Sequence, residues 1–363
     1  MTYETRDPAH HRTQNPDHRA GHLLPPAPEG GWDVVVVGGG PAGLSAALTL
    51  ARVRRSVLVI DAGSPRNAPA SAAHGLLGRD GVPPLELLRR GREEVTSYGA
   101  RIATARVEEV RRHRGGFRVR VEGGEHTTAR RLLVTTGLVD RLPEVPGLAE
   151  RWGRDVVHCV HCHGWEARDT AVGVLHTSPH AYHQALMFRG LTSRLTFLRH
   201  TGEELPEERR DRLDRLGVDL VDGEVTGLEV DGEDRLAGVR LASGRTVPLR
   251  TLVVVPLFVA RAPLLDDLGL TPAAHPMGSH LVTDPQGFTG AWGVWAAGNV
   301  TDLTANVSMA IAAGSRAGGA MLMDLITEEV GADGPTAPPP FSAAEEAELH
   351  RRRGDERRHG LTV

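Results

Sequence analysis

One stretch near the amino terminus restricts the fold more than any other. Asp33-Val-Val-Val-Val37 is short, apolar and β-branched, and it runs directly into Gly38-Gly-Gly-Pro-Ala-Gly43, after which Leu44 to Arg52 carries a helical pattern. A second apolar run, Ser56 to Ile60, ends in Asp61, 18 residues beyond the last glycine of the turn. Strand, glycine turn, helix, strand and acid in this order are the parts of a dinucleotide-binding unit. The glycines let backbone approach a pyrophosphate, the helix amides attract its charge, and the acid accepts a ribose hydroxyl. A purely structural glycine turn would not need the acid at the tip of the next strand. The expected cradle is therefore Gly38, Gly40, Pro41, Ala42 and Gly43, with Asp61 on the ribose.

Two later segments have the same character. Phe117 to Val121 and Thr128 to Val134 read as a hairpin around Gly123-Gly124, and the second strand ends in Thr135-Thr136-Gly137. Trp292-Gly-Val-Trp-Ala-Ala-Gly298-Asn299 reads as another buried strand ending in glycine, and a helix is expected from Ser308 to Ile326, with Val307 at its ligand-facing start. A chain of 363 residues suggests about two domains. Its 42 basic and 46 acidic residues, the basic ones all arginine, leave a net charge of -4, without the basic excess that nucleic-acid binding needs. Met1 to Gly31 has no apolar run and reads as a disordered tail. Gly331 to Pro340 reads as a linker and Ala343 to Arg358 as a charged helix or tail. No stretch has the roughly 18 apolar residues of a membrane span, and only two cysteines occur, so a reducing cytoplasm and no membrane are expected.

Both cysteines fall in His158-Cys-Val-His-Cys-His163-Gly164. Such a pair at a helix start can bridge, and helix amides lower the first thiol's pKa, which suits disulfide exchange. Zinc would accept the flanking His158, His161 and His163, yet ligands this close in sequence do not easily close a tetrahedron and no second pair exists, so no metal is expected. Cys159, Cys162 and His163 are the catalytic candidates. The imidazole would move protons near neutral pH, against the plainer reading of a bystander at a helix start.

The glycine turn, Asp61, Thr136-Gly137 and Ala297-Gly298, with a cysteine pair between them, resemble the two-dinucleotide-binding-domain flavoproteins, and within them the thioredoxin reductase branch. The resemblance spans about Asp33 to Thr327. It implies an α/β flavoprotein whose FAD domain is split in sequence, residues 32–147 and 258–327, around an inserted Rossmann-like redox domain at 148–257, with tails at 1–31 and 328–363. It also implies FAD as cofactor, a homodimer, and supporting contacts from Arg66, Asn67 and Val107, with His74-Gly75 bordering the flavin. Asn299 replaces the family's ribityl-binding aspartate, and His163 replaces the aspartate after the second cysteine. Cys162-His-Gly-Trp165-Glu166 is similar to the dithiol oxidases that close disulfides in gliotoxin- and holomycin-type natural products.

The second unit begins as the family's does, with a strand at Thr170 to Leu175 and a helix at Ala181 to Leu191. Its turn, however, is His176-Thr-Ser-Pro-His180 instead of a glycine pattern, and Leu195 to Leu198 leads to Arg199-His-Thr-Gly202-Glu-Glu. Side chains and a proline there obstruct a pyrophosphate, so productive NADPH binding is not expected. The resulting expectation is FAD-dependent oxidation of a small-molecule dithiol, or exchange with a protein disulfide, with O2 as acceptor and hydrogen peroxide as product. The alternatives are a thioredoxin reductase-like enzyme fed by NADPH, ferredoxin or flavodoxin, and a non-enzymatic flavin redox sensor.

Overall fold

The computed structural model describes residues 23–331. β1 (Trp32–Val37), α1 (Pro41–Ala51), β2 (Val57–Asp61), α2 (Pro84–Ser97) and β3 (Arg101–Thr104) form a parallel βαβαβ unit, in register from Val34 opposite Val57 to Val37 opposite Ile60. β1 and β2 are buried on both faces, which is why they read as nearly unbroken valine, leucine and isoleucine rather than alternating, whereas β3 at the sheet edge is only partly buried. Pro41 occupies the first turn of α1, where a missing amide costs no hydrogen bond and φ is already helical. β4 (Val107–His113), β5 (Gly116–Val121) and β6 (His126–Val134) follow as antiparallel neighbours, and β6 closes parallel onto β1, giving the order β3-β2-β1-β6-β5-β4.

The chain then leaves this sheet along β7 (Leu138–Arg141). β8 (Val156–Val157), α3 (Val160–Ala167), β9 (Val172–Leu175), α4 (His180–Arg189), β10 (Leu195–Leu198), α5 (Glu207–Arg215) and β11 (Asp219–Val221) build the second unit. A three-stranded antiparallel layer, β12 (Val225–Val230), β13 (Leu236–Leu241) and β14 (Thr246–Pro248), precedes β15 (Thr251–Val253). β15 inserts between β9 and β8, so all five strands of β11-β10-β9-β15-β8 are parallel. The return is β16 (Leu257–Ala260), antiparallel to β7 with Leu257 opposite Arg141 and Ala260 opposite Leu138. β17 (Ala273–His275) and β18 (Gly278–His280) extend this ribbon. β19 (Val294–Ala296) then rejoins the first sheet beside β6, and α6 (Val307–Gly331) lies against α1. The two helices approach through small residues: a Cβ at Gly314 would lie 2.0 Å from the Ala42 carbonyl oxygen. The first sheet is thus assembled from both ends of the chain, and the doubly wound α/β architecture implied by the motif order is the one observed.

Three sequence expectations are corrected. Leu23 and Leu24, within the stretch read as tail, dock on the β5–β6 hairpin. Their amides donate to the Glu125 carboxylate at 2.8 and 3.2 Å, and the Leu24 side chain is buried. Two leucines among prolines are too short a signal for any periodicity. The strand expected from Trp292 contracts to Val294–Ala296, because Gly293 takes a left-handed φ of +74° and turns the chain there. α1 begins at Pro41, ahead of the expected Leu44. The remaining tail to residue 22 and the helix read at Ala343 to Arg358 lie outside the described residues.

Candidate active site

The carboxyl ends of β1, β2 and β6 open onto one cavity of about 1100 Å³. Gly38, Gly40, Pro41, Ala42, Asp61, Arg66, Asn67, Val107, Thr136, Gly137, Gly298, Asn299 and Val307 all line it, and so do Cys159, Cys162 and His163 from the second unit. Gly43 does not. A Cβ there would lie 2.0 Å from the Gly38 carbonyl oxygen and 2.7 Å from Thr135 Oγ1, so this glycine lets the helix start pack on its own turn. Gly39, unmentioned by the sequence reading, lines the cavity and lies against Asp61, whose Cβ a side chain at 39 would meet at 2.9 Å. Gly38 needs its type twice over, with φ at +109° and the Thr135 carbonyl oxygen 2.4 Å from where its Cβ would be.

These residues fit FAD. Gly40 has open space where a Cβ would project, the start of α1 faces the cavity, and Thr136 Oγ1 is buried without a hydrogen-bond partner. Asp61 accepts from Arg92 at 2.7 Å through Oδ2, and its other oxygen is available to a ribose hydroxyl. Asn299 shows why the family's aspartate is not required here. Its Nδ2 donates to the carbonyls of Asp302 (3.0 Å) and Ala305 (2.9 Å), which turns Oδ1 the other way, toward Arg66 Nη1 at 3.4 Å. That oxygen can accept from a ribityl hydroxyl. Arg66 itself is held by Asp140 on β7 through two bonds of 2.8 and 2.7 Å and lies over the Phe258 ring.

The cysteines form the far wall. Cys159 is the N-cap of α3, and its Sγ is 2.6 Å from Cys162 Sγ. The Cys162 thiol donating to it lowers the pKa of Cys159 to about 6, aided by the amides of Cys162 and His161 and opposed by burial. The same contact, with burial, pushes Cys162 up. The two sulfurs are therefore unequal: the first carries the charge and the second keeps its proton. His163 follows on α3, largely buried, with Nδ1 unpartnered and its basicity lowered chiefly by burial. Burial also pushes His158 down to about 4, with the Arg66 charge adding to the effect. Its ring stacks on Trp152 at 5.8 Å and meets Phe258 edge-on at 5.5 Å. His161 is exposed, so the three histidines diverge. No group of three or more His, Cys, Asp or Glu side chains among the described residues could hold a metal.

Loop 62–83, between β2 and α2, supplies contacts that sequence reasoning missed or saw only as a border. His74 lines the cavity, with Nδ1 3.2 Å from Asp80 Oδ2 and Nε2 3.5 Å from Glu166 Oε1 on α3. Asp80 is fixed in turn by the Gly75 amide at 2.8 Å.

At the equivalent turn of the second unit no cradle forms. His176 is 4% exposed, its ring packed 5.1 Å from Phe197, and a Cβ on Gly202 would lie 2.3 Å from its Nδ1. The imidazole thus packs the two turns together beneath a second, smaller cavity of about 490 Å³, lined by Thr177, Ser178, His180, His200 and Thr201 and by no glycine. No helix among the described residues is long and apolar enough to cross a membrane.

Residues 32–315 match the family model described as pyridine nucleotide-disulphide oxidoreductase. Thioredoxin reductase tcpT of Claviceps purpurea (strain 20.1) is 31% identical, over 79% of this chain and 92% of its own. Thioredoxin reductase sirT of Leptosphaeria maculans is 30% identical with the same coverage. Among solved structures, HlmI aligns with a TM-score of 0.80 at 43% identity, over 84% of this chain and 96% of HlmI. The oxidoreductase from Agrobacterium tumefaciens aligns at 0.77 and 36%, over 82% of this chain and 99% of that one.

Proposed function

The chain belongs to the pyridine nucleotide-disulphide oxidoreductase family, as an FAD-dependent enzyme of thioredoxin reductase-like build, and from that premise we propose that it oxidises a small-molecule dithiol to a disulfide through Cys159 and Cys162, with molecular oxygen as final acceptor. The observation that carries this reading is the turn of the second unit, where the buried His176 packs against Gly202 and no glycine cradle exists, while the glycine turn of the first unit opens onto the cavity that holds both cysteines. Bound FAD supplies a two-electron acceptor between the thiols and oxygen.

The chain's own residues do the rest. A substrate thiolate attacks Cys159 Sγ of the oxidised pair, the Cys159–Cys162 bond breaks, and Cys162 leaves. The second substrate thiol then displaces Cys159, and the ring closes. Cys159 suits this exchange because its lowered pKa makes it a good leaving group. His163 holds the proton released by the first substrate thiol. Asp61, the Gly38–Gly40 backbone and Asn299 orient the cofactor, and the Arg66–Asp140 pair holds charge beside Asn299. Residues 32–147 and 258–327 belong to the FAD domain in this reading, residues 148–257 to the redox domain, and the working form is a cytoplasmic homodimer.

The test is an anaerobic titration of the flavin-loaded protein, first with NADPH and then with dithiothreitol. The expected result is a flavin spectrum unchanged by NADPH, bleached by dithiothreitol, and restored by air with release of peroxide. Rapid bleaching by NADPH, or a flavin inert to the dithiol, would overturn the reading.

A further inference from the structure

The cysteine pair reaches the first unit's cavity on a short stretch of chain. β8, which leads to it, has two residues and lies at the edge of its sheet, paired with β15. α3, which carries the chain away, has eight residues and packs on α4, where a Cβ at Gly164 would lie 2.6 Å from the Leu191 side chain. Both elements belong to the second unit, so neither fixes the sulfurs against the flavin-binding half. The ion pair from α3 to that half, Glu166 to His74 at 3.5 Å, involves a half-exposed carboxylate and holds little.

His158, between β8 and α3, makes the connection. Trp152 bridges Val156, which brings its indole beside the imidazole, and the two rings stack at 5.8 Å with 24° between their planes. The same imidazole meets Phe258 of β16 edge-on at 5.5 Å. Trp152 packs on the second unit's core, whereas Phe258 clusters with Leu138 of β7 and with Leu303, ahead of α6. Phe258 lies opposite Asp140 in the ribbon, and Asp140 holds Arg66, whose guanidinium covers the Phe258 ring at 5.2 Å. A continuous series of contacts therefore runs from loop 62–83 through Arg66 and Phe258 to His158, and His158 is joined to Cys159 by the backbone. The ring nitrogens have no partner among the described residues, and burial together with the Arg66 charge keeps them unprotonated. The imidazole thus works as a flat ring and not as a base.

We propose that His158 is a positioning residue: its ring, keyed to Trp152 and Phe258, holds the Cys159–Cys162 pair within reach of the flavin, so that electrons taken from a dithiol pass on from the sulfurs. This rests on the dithiol reading above. Exchange at Cys159 needs only an accessible sulfur and a good leaving group, whereas the next step needs the pair placed to about 1 Å. In that step the reduced pair gives two electrons to the flavin, with one proton from the Cys162 thiol and one from His163, and the Cys159–Cys162 bond re-forms. Loss of the ring therefore uncouples the two steps instead of stopping both.

The test follows the two steps separately in flavin-loaded wild type, His158→Phe and His158→Ala mixed with dithiothreitol in the absence of oxygen. Thiols formed at Cys159 and Cys162 are trapped by acid quench and alkylation and counted by mass spectrometry, while stopped flow reads the flavin absorbance. His158→Ala should form the thiols at a rate within about three-fold of wild type. It should bleach the flavin about 10-fold or more slowly, so that protein with two free thiols and oxidised flavin accumulates. His158→Phe, which keeps a flat ring and loses both nitrogens, should follow wild type in both steps. In the flavin-free proteins the alkylation midpoint of Cys159 should stay near 6 in all three. Should His158→Ala not fold, His158→Leu, which fills the space without a flat face, carries the same comparison. Equal slowing of both steps, bleaching as fast as wild type without the ring, or a His158→Phe variant as slow as His158→Ala would each overturn the proposal. If wild type itself is not reduced by the dithiol, the functional reading fails first; if wild type is reduced and the variants match it, this inference alone falls.

Discussion

Replacing Cys162 with alanine removes the thiol whose hydrogen bond, at 2.6 Å, does most to hold Cys159 as a thiolate. That contact, the largest of the influences that with the two amides outweigh burial, brings Cys159 down from 9.0 to about 6 in the reduced protein. At pH 7 the thiolate fraction of such a group is roughly 90%, against roughly 1% for an unshifted one, a gain of about 90-fold. Nucleophilicity falls as pKa falls, with a Brønsted slope of about 0.4–0.5, which over this shift takes back roughly 15- to 30-fold. The net gain at neutral pH is only about three- to six-fold. Rate at one pH is therefore a poor reporter, and the midpoint of the pH profile is the diagnostic quantity. Reduced protein would be alkylated with iodoacetamide across the acid and neutral range and the tryptic peptide 155–168 quantified. Cys159 should label with a midpoint near 6 in wild type and distinctly higher in Cys162→Ala, where the backbone amides at 161 and 162 and the His161 charge still oppose burial but the neighbouring thiol does not. A wild-type midpoint above about 8 would refute the thiolate assignment. A Cys162→Ala midpoint unmoved from 6 would show that the helix start, not the neighbouring sulfur, carries the charge.

Other substitutions separate packing from binding. Gly43→Ala should cost roughly 3 kcal/mol or more of stability, because its methyl would meet the Gly38 oxygen at 2.0 Å; a thermal melt reads this. Gly40→Ala, whose methyl meets nothing and whose φ of -77° suits alanine, should keep the melting temperature of the flavin-free protein and lose flavin affinity, measured by fluorescence titration. Asn299→Asp, although it restores the family's residue, should lower stability by about 1–3 kcal/mol, since a carboxylate oxygen would face the carbonyls of Asp302 and Ala305. Arg66→Met should cost about 3–5 kcal/mol by leaving the buried Asp140 unpaired, and Asp140→Asn in the same chain should recover part of that loss in a denaturant titration.

What the sequence made legible is what lies contiguous along it. The valine run, glycine turn and Asp61 form one local βαβ grammar, and the cysteine pair with His163 occupies five adjacent positions. Contacts set by the register of distant strands left no such trace. Gly39 touches Asp61 only because β1 and β2 are neighbours, and Arg66 meets Asp140 across 74 residues because β7 leaves the sheet beside the loop. The Gly43 position was legible while its duty was not, since a glycine demanded by packing and one demanded by a ligand look alike in a motif. His74 lies in a loop with no apolar period, where the sequence offered a glycine and nothing that pointed to Asp80 or Glu166 as its neighbours.

The β7–β16 ribbon has a consequence for engineering. Arg141 and Leu257 are directly opposed on antiparallel strands, so their α-carbons lie about 4.5–5.5 Å apart. A two-residue Asn-Gly turn can span such a gap. Excising everything between them would leave a miniature carrier in which β19 and α6 still complete the first sheet. Such a truncated yellow protein would meet oxygen without any thiol in the molecule, and would serve as the blank against which the sulfur chemistry of the whole chain is measured.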